Sequence, residues 1–220
     1  MIRRGVLVLV AMLVSVPAGA QTPERLPWFA LDLHGAWVGL PTAEGWVPAV
    51  TDTTPLPGRA WGLAGGATVY PFRTGVITWG VGVGMHTGKS TSDPLMSTAT
   101  ATVPAVPKTT TVTTQVTSLL PQLSINFGHK LGWSYLSAGY GKSKVVSSSE
   151  AFGTTPAQAV PEAWNGAINF GGGARWFMKP HLGAGFDVRF TKLGSRAATD
   201  TLPAAKRTQM LTISVGISIQ

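Results

Sequence analysis

Leu211-Thr212-Ile213-Ser214-Val215-Gly216-Ile217-Ser218-Ile219 is the stretch that decides the fold. Large apolar residues alternate with small or polar ones, the period-two pattern of a strand with one apolar face. The same phase runs through Ile77, Trp79, Val81, Val83 and Met85 against Thr78, Gly80, Gly82, Gly84 and His86. It returns in Ala184, Phe186, Val188 and Phe190 against Gly183, Gly185, Asp187 and Arg189. Eight strands are expected near Trp28–Leu40, Arg59–Phe72, Val76–Gly88, Val112–Phe127, Leu131–Lys144, Ala163–Phe177, His181–Leu193 and Lys206–Ile219. Most exceed the usual globular strand of about 5–6 residues and suit tilted membrane strands of about 9–11. Pro121 falls inside the fourth, where it removes a ladder donor.

The connections alternate in length. Short ones are Arg73-Thr74-Gly75, Gly128-His129-Lys130 and Met178-Lys179-Pro180. Long ones, rich in Thr, Ser, Pro and Ala, cover 41–58, 89–111, 145–162 and 194–205. Tight periplasmic turns and longer outer loops give this asymmetry in outer-membrane barrels. An even strand count puts both ends of the barrel domain on the periplasmic side. The expected fold class is therefore all-β, an eight-stranded antiparallel up-and-down transmembrane β-barrel.

Alternation alone also fits a soluble barrel with an apolar cavity, but a water-facing wall would be rich in Lys and Glu. Here the polar faces carry Gly, Ser, Thr, Asn and Ala, small enough for a crowded narrow lumen. The opposite faces are large and uninterrupted, which puts lipid outside. Trp28, Phe29, Tyr70, Phe72, Phe127, Trp133, Trp176 and Phe177 lie beside the short turns, the expected height of a periplasmic aromatic girdle, and Trp61 and Trp164 lie near the opposite ends.

Composition agrees. Charged residues make up 12% of the chain, against about 25% in globular proteins; there are 27 glycines and eight tryptophans. Met1-Ile2-Arg3-Arg4, the apolar run Gly5 to Val16, and Pro17-Ala18-Gly19-Ala20 read as a secretory signal peptide over 1–20. The apolar run is shorter than the roughly 20 residues a membrane helix needs. Cleavage after Ala20 would leave 21–220 as the barrel domain, and loss of Arg3 and Arg4 would reduce the formal charge of +8 by two, to +6. The basic residues form no dense run, and an exported chain does not meet nucleic acid. With no cysteine, disulfides, thiolate metal sites and lipidation at a cysteine are excluded.

Several segments carry a family resemblance. Gly65-Gly66-Ala67-Thr68-Val69-Tyr70-Pro71-Phe72-Arg73 and Trp133-Ser134-Tyr135-Leu136-Ser137-Ala138-Gly139-Tyr140-Gly141 are two of them. The hairpin Asn169-Phe170-Gly171-Gly172-Gly173-Ala174-Arg175-Trp176 with Gly185-Phe186-Asp187-Val188-Arg189-Phe190 is the third. Over about residues 28–220 the chain resembles the outer-membrane β-barrel domain family, the broad group of OmpA-like and OmpX-like barrels. The resemblance implies a location in the Gram-negative outer membrane, with lipid and lipopolysaccharide as surroundings and insertion by a barrel-assembly machinery. Such chains usually end on an aromatic residue that this machinery reads; this one ends Ile217-Ser218-Ile219-Gln220.

Four charges are singled out by phase. Asp32, Arg175, Asp187 and Arg189 all point into the lumen, two of each sign. Buried charges must be paired, so a structural network that plugs the barrel is expected; a gate or small pore is the alternative. Lys142, Lys144, Lys206 and Arg207, with Arg59 and Lys89, gather toward the long-loop side. They read either as a solvated rim or as contacts to lipopolysaccharide phosphates. His34 and His86 look lumenal, with no nearby acidic or second histidine partner implied by spacing, and His129 and His181 flank turns. Some barrels of the resembled group modify lipid A, but no serine here sits in a nucleophile motif. The expectation is a monomeric non-enzyme with no metal, cofactor or nucleic-acid partner: a structural or surface-interaction barrel with a polar, occluded lumen. A narrow, porin-like channel for small solutes is the runner-up, and a lipid A-modifying enzyme the third reading.

Overall fold

The computed structural model describes residues 26–50, 54–96, 109–154, 156–200 and 203–220; the expected signal peptide lies outside them. The strands are β1 (Phe29–Gly39), β2 (Arg59–Thr74), β3 (Ile77–Thr91), β4 (Val112–His129), β5 (Gly132–Ser149), β6 (Gln158–Val160), β7 (Trp164–Phe177), β8 (Leu182–Leu193) and β9 (Thr208–Ile219). All the long ones pair antiparallel with their neighbours in sequence, and β9 closes on β1 from Leu31↔Ile219 to Val38↔Thr212. The result is the expected closed eight-stranded up-and-down barrel. Closure removes the edges that an open sheet would expose. The three-residue β6 sits apart, paired only to the end of β5 at Ser147–Ser149.

The three hairpin turns and both described chain ends share one end of the barrel. There Gln220 donates from its side chain to the carbonyl of Pro180 at 2.7 Å, and His181 Nδ1 lies 3.1 Å from the Gln220 carbonyl. Gly75 makes the tight β2–β3 turn at φ +61°, a left-handed conformation that costs glycine nothing. Proline is accommodated in two ways. Pro71 sits at a β-bulge, where the register slips between Val69 and Phe72. Pro121 is exposed on β4, and the ladder to β5 is interrupted between Leu119↔Lys142 and Gln122↔Gly139 while pairing to β3 continues through Val83. The missing donor thus falls on one seam and the strand persists.

Two loop boundaries need correction. β3 runs to Thr91 and β5 to Ser149, so the loops expected from 89 and 145 start later, and β6 lies inside the second. Hydroxyls carry this extension: Thr91–Thr113, Thr114–Ser147 and Ser118–Ser143 bond across strands at 2.9, 2.8 and 2.7 Å. Such stretches lack the apolar alternation that marks a half-buried strand, so they read as loop.

Outside, the alternation makes a belt. Leu33, Leu123 and Val215 are 57%, 63% and 66% exposed, among many other apolar side chains. On the loop side the belt ends at Arg59, Lys89, Lys142 and Lys192, and on the turn side at Arg73, His129, Lys130, Lys179 and His181. Between these limits no outward strand position is charged. From Ile77 to Lys89, a strand tilted at about 40° rises about 30 Å, enough for an apolar band of about 25 Å.

Candidate functional site

Inward side chains fill the lumen in three layers. At the turn end Leu26, Ala30, Tyr70, Trp133, Tyr135 and Phe177 form a buried cluster; Trp133 stacks on Phe177 with ring centroids 5.0 Å apart and meets Tyr70 edge-on at 5.9 Å. Tyr70, Trp133 and Phe177 were expected in the outer girdle, and the structure puts them inside. Closeness to a turn suggested a girdle, whereas phase decides the face. Trp28, Phe72, Phe127 and Trp176 do point outward.

The middle layer holds the four lumenal charges. Arg175 donates from Nε and Nη2 to the two oxygens of Asp32 at 2.8 and 2.5 Å, and from Nη1 to the Tyr70 hydroxyl at 3.3 Å. Its guanidinium lies 4.3 Å from the Tyr135 ring centroid. Ser218 donates to Asp32 at 2.7 Å. Arg189 donates from Nη2 to Asp187 Oδ2 at 2.9 Å, with Nε 2.8 Å from Oδ1, and from Nη1 to Gln122 Oε1 at 2.5 Å. Tyr135 donates to Asp187 as well. Arg175 therefore holds Asp32 in a two-point fork, the geometry that makes such pairs strong and directional, while Arg189 pairs with Asp187 through one hydrogen bond.

Strand register explains why these groups meet. Tyr135, Gly173 and Asp187 are successive partners across β5, β7 and β8. A Cβ at Gly173 would stand 2.9 Å from the Tyr135 hydroxyl, so glycine leaves the path along which the phenol reaches Asp187. Arg175, Gly185, Gly216 and His34 form the next row, across β7, β8, β9 and β1. Two bare positions open the space between Arg175 and β1.

His34 does have an acidic neighbour, contrary to expectation. In the structure His34 Nε2 is 4.0 Å from Asp32 Oδ1 and Nδ1 is 3.1 Å from Ser214 Oγ. The signal was present, since residues two apart share a face. Asp32, His34 and Ser214 have the composition of a hydrolytic triad, but Asp32 is already held by Arg175 and Ser218. The cavity beside them, lined also by His86, Gln122 and Asn169, measures about 40 Å³, room for about two or three waters and none for a substrate. No group of three metal-ligating side chains occurs among the described residues.

Toward the loop end the lumen gains an apolar cluster. Val38, Leu40, Ala60, Val116, Leu120, Val145, Leu193 and Met210 pack beneath Trp46. A polar lumen was expected; the structure adds an apolar cluster at each end, beside buried polar groups such as Thr114, Ser118, Ser143 and Ser147 at the loop end and Thr78 and Asn126 at the turn end. Loop residues clamp this lid. Trp46 donates to the Lys206 carbonyl at 2.7 Å, while Arg196 lies 5.2 Å over the indole and donates to the Gly45 carbonyl at 3.1 Å.

The four proposed lipopolysaccharide contacts divide. Lys142 and Lys144 point outward from β5, and Lys144 pairs with Glu162 and lies 5.6 Å over Trp164. Lys206 pairs with Glu44 at 3.1 Å, and Lys206 and Arg207 precede β9, three strands round the barrel from β5. Lys192, which the sequence reading passed over, points outward between the two groups.

No protein-family model matches the chain, and no curated relative matches it. Solved structures do. Neisserial surface protein A (NspA) is 12% identical with a TM-score of 0.45, covering 89% of this chain and 99% of that one. Ail, the attachment invasion locus protein of Yersinia pestis, is 12% identical with a TM-score of 0.44, covering 87% and 95%. The outer membrane protein OprG from Pseudomonas aeruginosa is 12% identical with a TM-score of 0.43, covering 90% and 97%.

Proposed function

We propose that this chain is an integral outer-membrane barrel with a sealed lumen, whose work is done by the surface that its loops present. The charge-free apolar belt carries the membrane reading: a water-facing wall with Leu33, Leu123 and Val215 more than half exposed would be an aggregation surface. The three-layered filling supports a sealed lumen. Each end is closed by apolar packing, and the charges between are held in ion pairs rather than strung along a path.

The loop end supports a surface role. Trp46, Arg196 and the Glu44–Lys206 pair tie the first and fourth loops together. With β6 these loops wall an open bowl of about 830 Å³, lined by Val47, Pro48, Leu56, Val160 and Pro203 among others. That is a shaped platform rather than a fringe of chain. The proposed role involves no reaction.

Planar-bilayer recording of the refolded chain tests the seal. Silence, apart from the flicker of insertion, is the expected record. A steady, reproducible conductance would favour the channel reading and refute the plug.

A further inference from the structure

The outer face of β5, β7 and β8 carries a feature that the surface role leaves unused. Gly166 faces outward at the loop-side edge of the belt, opposite Lys142 on β5. Two residues along β7, Ile168 faces Lys192 on β8. Two strand spacings of about 4.8 Å and two residues of about 3.3 Å put the two lysine Cα atoms about 12 Å apart. Each ammonium stands on a flexible four-carbon stem about 6 Å long, so both can reach a point above Gly166. Neither lysine has an ion pair among the described residues; the Lys192 ammonium lies 5.5 Å over the Phe170 ring and would swing up along its stem to meet a phosphate. Tyr140 adds a third donor: its hydroxyl lies 3.2 Å from where a Gly166 Cβ would stand.

Both lysines are the first charged outward positions above the belt on their strands. Directly below are Ile168, Phe170 and Phe190, the last two stacked at 5.5 Å. Cations at headgroup height over an apolar wall match a molecule with phosphate above and acyl chains below. We infer that Lys142, Lys192 and Tyr140 form a site for the phosphate of an outer-leaflet glycolipid of the lipopolysaccharide type, seated over Gly166. This rests on the membrane reading above. It replaces the grouping of Lys142 with Lys206 and Arg207, since Lys206 is engaged by Glu44.

The test uses the mature chain refolded in detergent micelles, offered purified lipopolysaccharide, its dephosphorylated form or inorganic phosphate, with retained lipid read by native mass spectrometry. The parent chain is expected to retain the phosphorylated lipid. Lys142→Gln/Lys192→Gln should retain at least tenfold less, and Tyr140→Phe severalfold less. Lys206→Gln/Arg207→Gln should match the parent, and the dephosphorylated lipid should be held no better than by the double variant. Equal retention by Lys142→Gln/Lys192→Gln, or of the dephosphorylated lipid, would overturn the site. Displacement of the lipid by millimolar inorganic phosphate would reassign it to a free anion and overturn the lipid. Each variant is first checked for heat-modifiable migration, so misfolding is not read as lost binding. A chain that inserts into vesicles yet retains no lipid overturns this inference alone; a chain that does not insert overturns the membrane reading with it.

Discussion

Replacing Arg175 by Met should reveal how tightly the lumenal charges depend on each other. Arg175 supplies two of the three hydrogen bonds that hold Asp32, and Ser218 supplies the third. Arg175→Met leaves a buried carboxylate with one hydroxyl, and breaking a buried pair in this way costs about 3–5 kcal/mol. Asp32→Asn is expected to cost about 3 kcal/mol by the same reasoning, since the guanidinium keeps only Tyr70 and the aromatic faces. In the double variant no uncompensated charge remains, and a methionine between Tyr135 and Trp133 makes favourable sulfur–aromatic contacts. The double variant should therefore be more stable than either single one, with a coupling energy of about 3 kcal/mol or more. Urea unfolding of the four proteins in vesicles, followed by the folded and unfolded bands on unheated gels, measures the cycle. Additive costs, with coupling below about 0.5 kcal/mol, would mean that water already separates the two groups. That result would refute the plug.

Other perturbations follow from the same structure. Leu123→Arg or Val83→Arg, at the middle of the belt, should cost about 2–4 kcal/mol in vesicles, whereas Thr113→Arg beyond it should cost no more than about 1; equal costs at all three would contradict the depth assignment. Gly173→Val would put a Cβ 2.1 Å from the Phe186 carbonyl oxygen, so the yield of the heat-shifted folded band should collapse, and normal refolding would show that the rows of glycine are not needed for closure. Trp46→Ala removes the lid of the loop-end core at a cost of about 3–5 kcal/mol. Limited proteolysis should then cut the first and fourth loops faster while the barrel still migrates as folded; unchanged cleavage would show that Trp46 does not clamp them.

Much of this was legible in the sequence because strand phase is a local property. Ile213, Val215 and Ile217 point outward and Asp32, Arg175, Asp187 and Arg189 inward, as simple alternation requires. What alternation cannot supply is register. Nothing local says that Tyr135 reaches Asp187 across Gly173, or that Arg175 selects Asp32, whereas Asp187 and Arg189 share a face of one strand. Those two choices depend on which residues line up across two and three strands. The lid was hidden for a similar reason: Trp46 lies in a Pro- and Ala-rich loop and becomes a core residue only when that loop folds back on Met210 and Leu193. Lys192 was passed over because it sits within a strand and gathers with Lys142 only through β7.

The membrane reading itself is tested most directly by gel migration of the chain taken from a cell-envelope fraction. The protein is expected with the outer membrane, with a clear difference in mobility between unheated and boiled samples, because a closed eight-stranded barrel resists detergent until heated. Recovery from the soluble periplasmic fraction, with the same mobility before and after boiling, would contradict both the location and the outward assignment of the apolar belt.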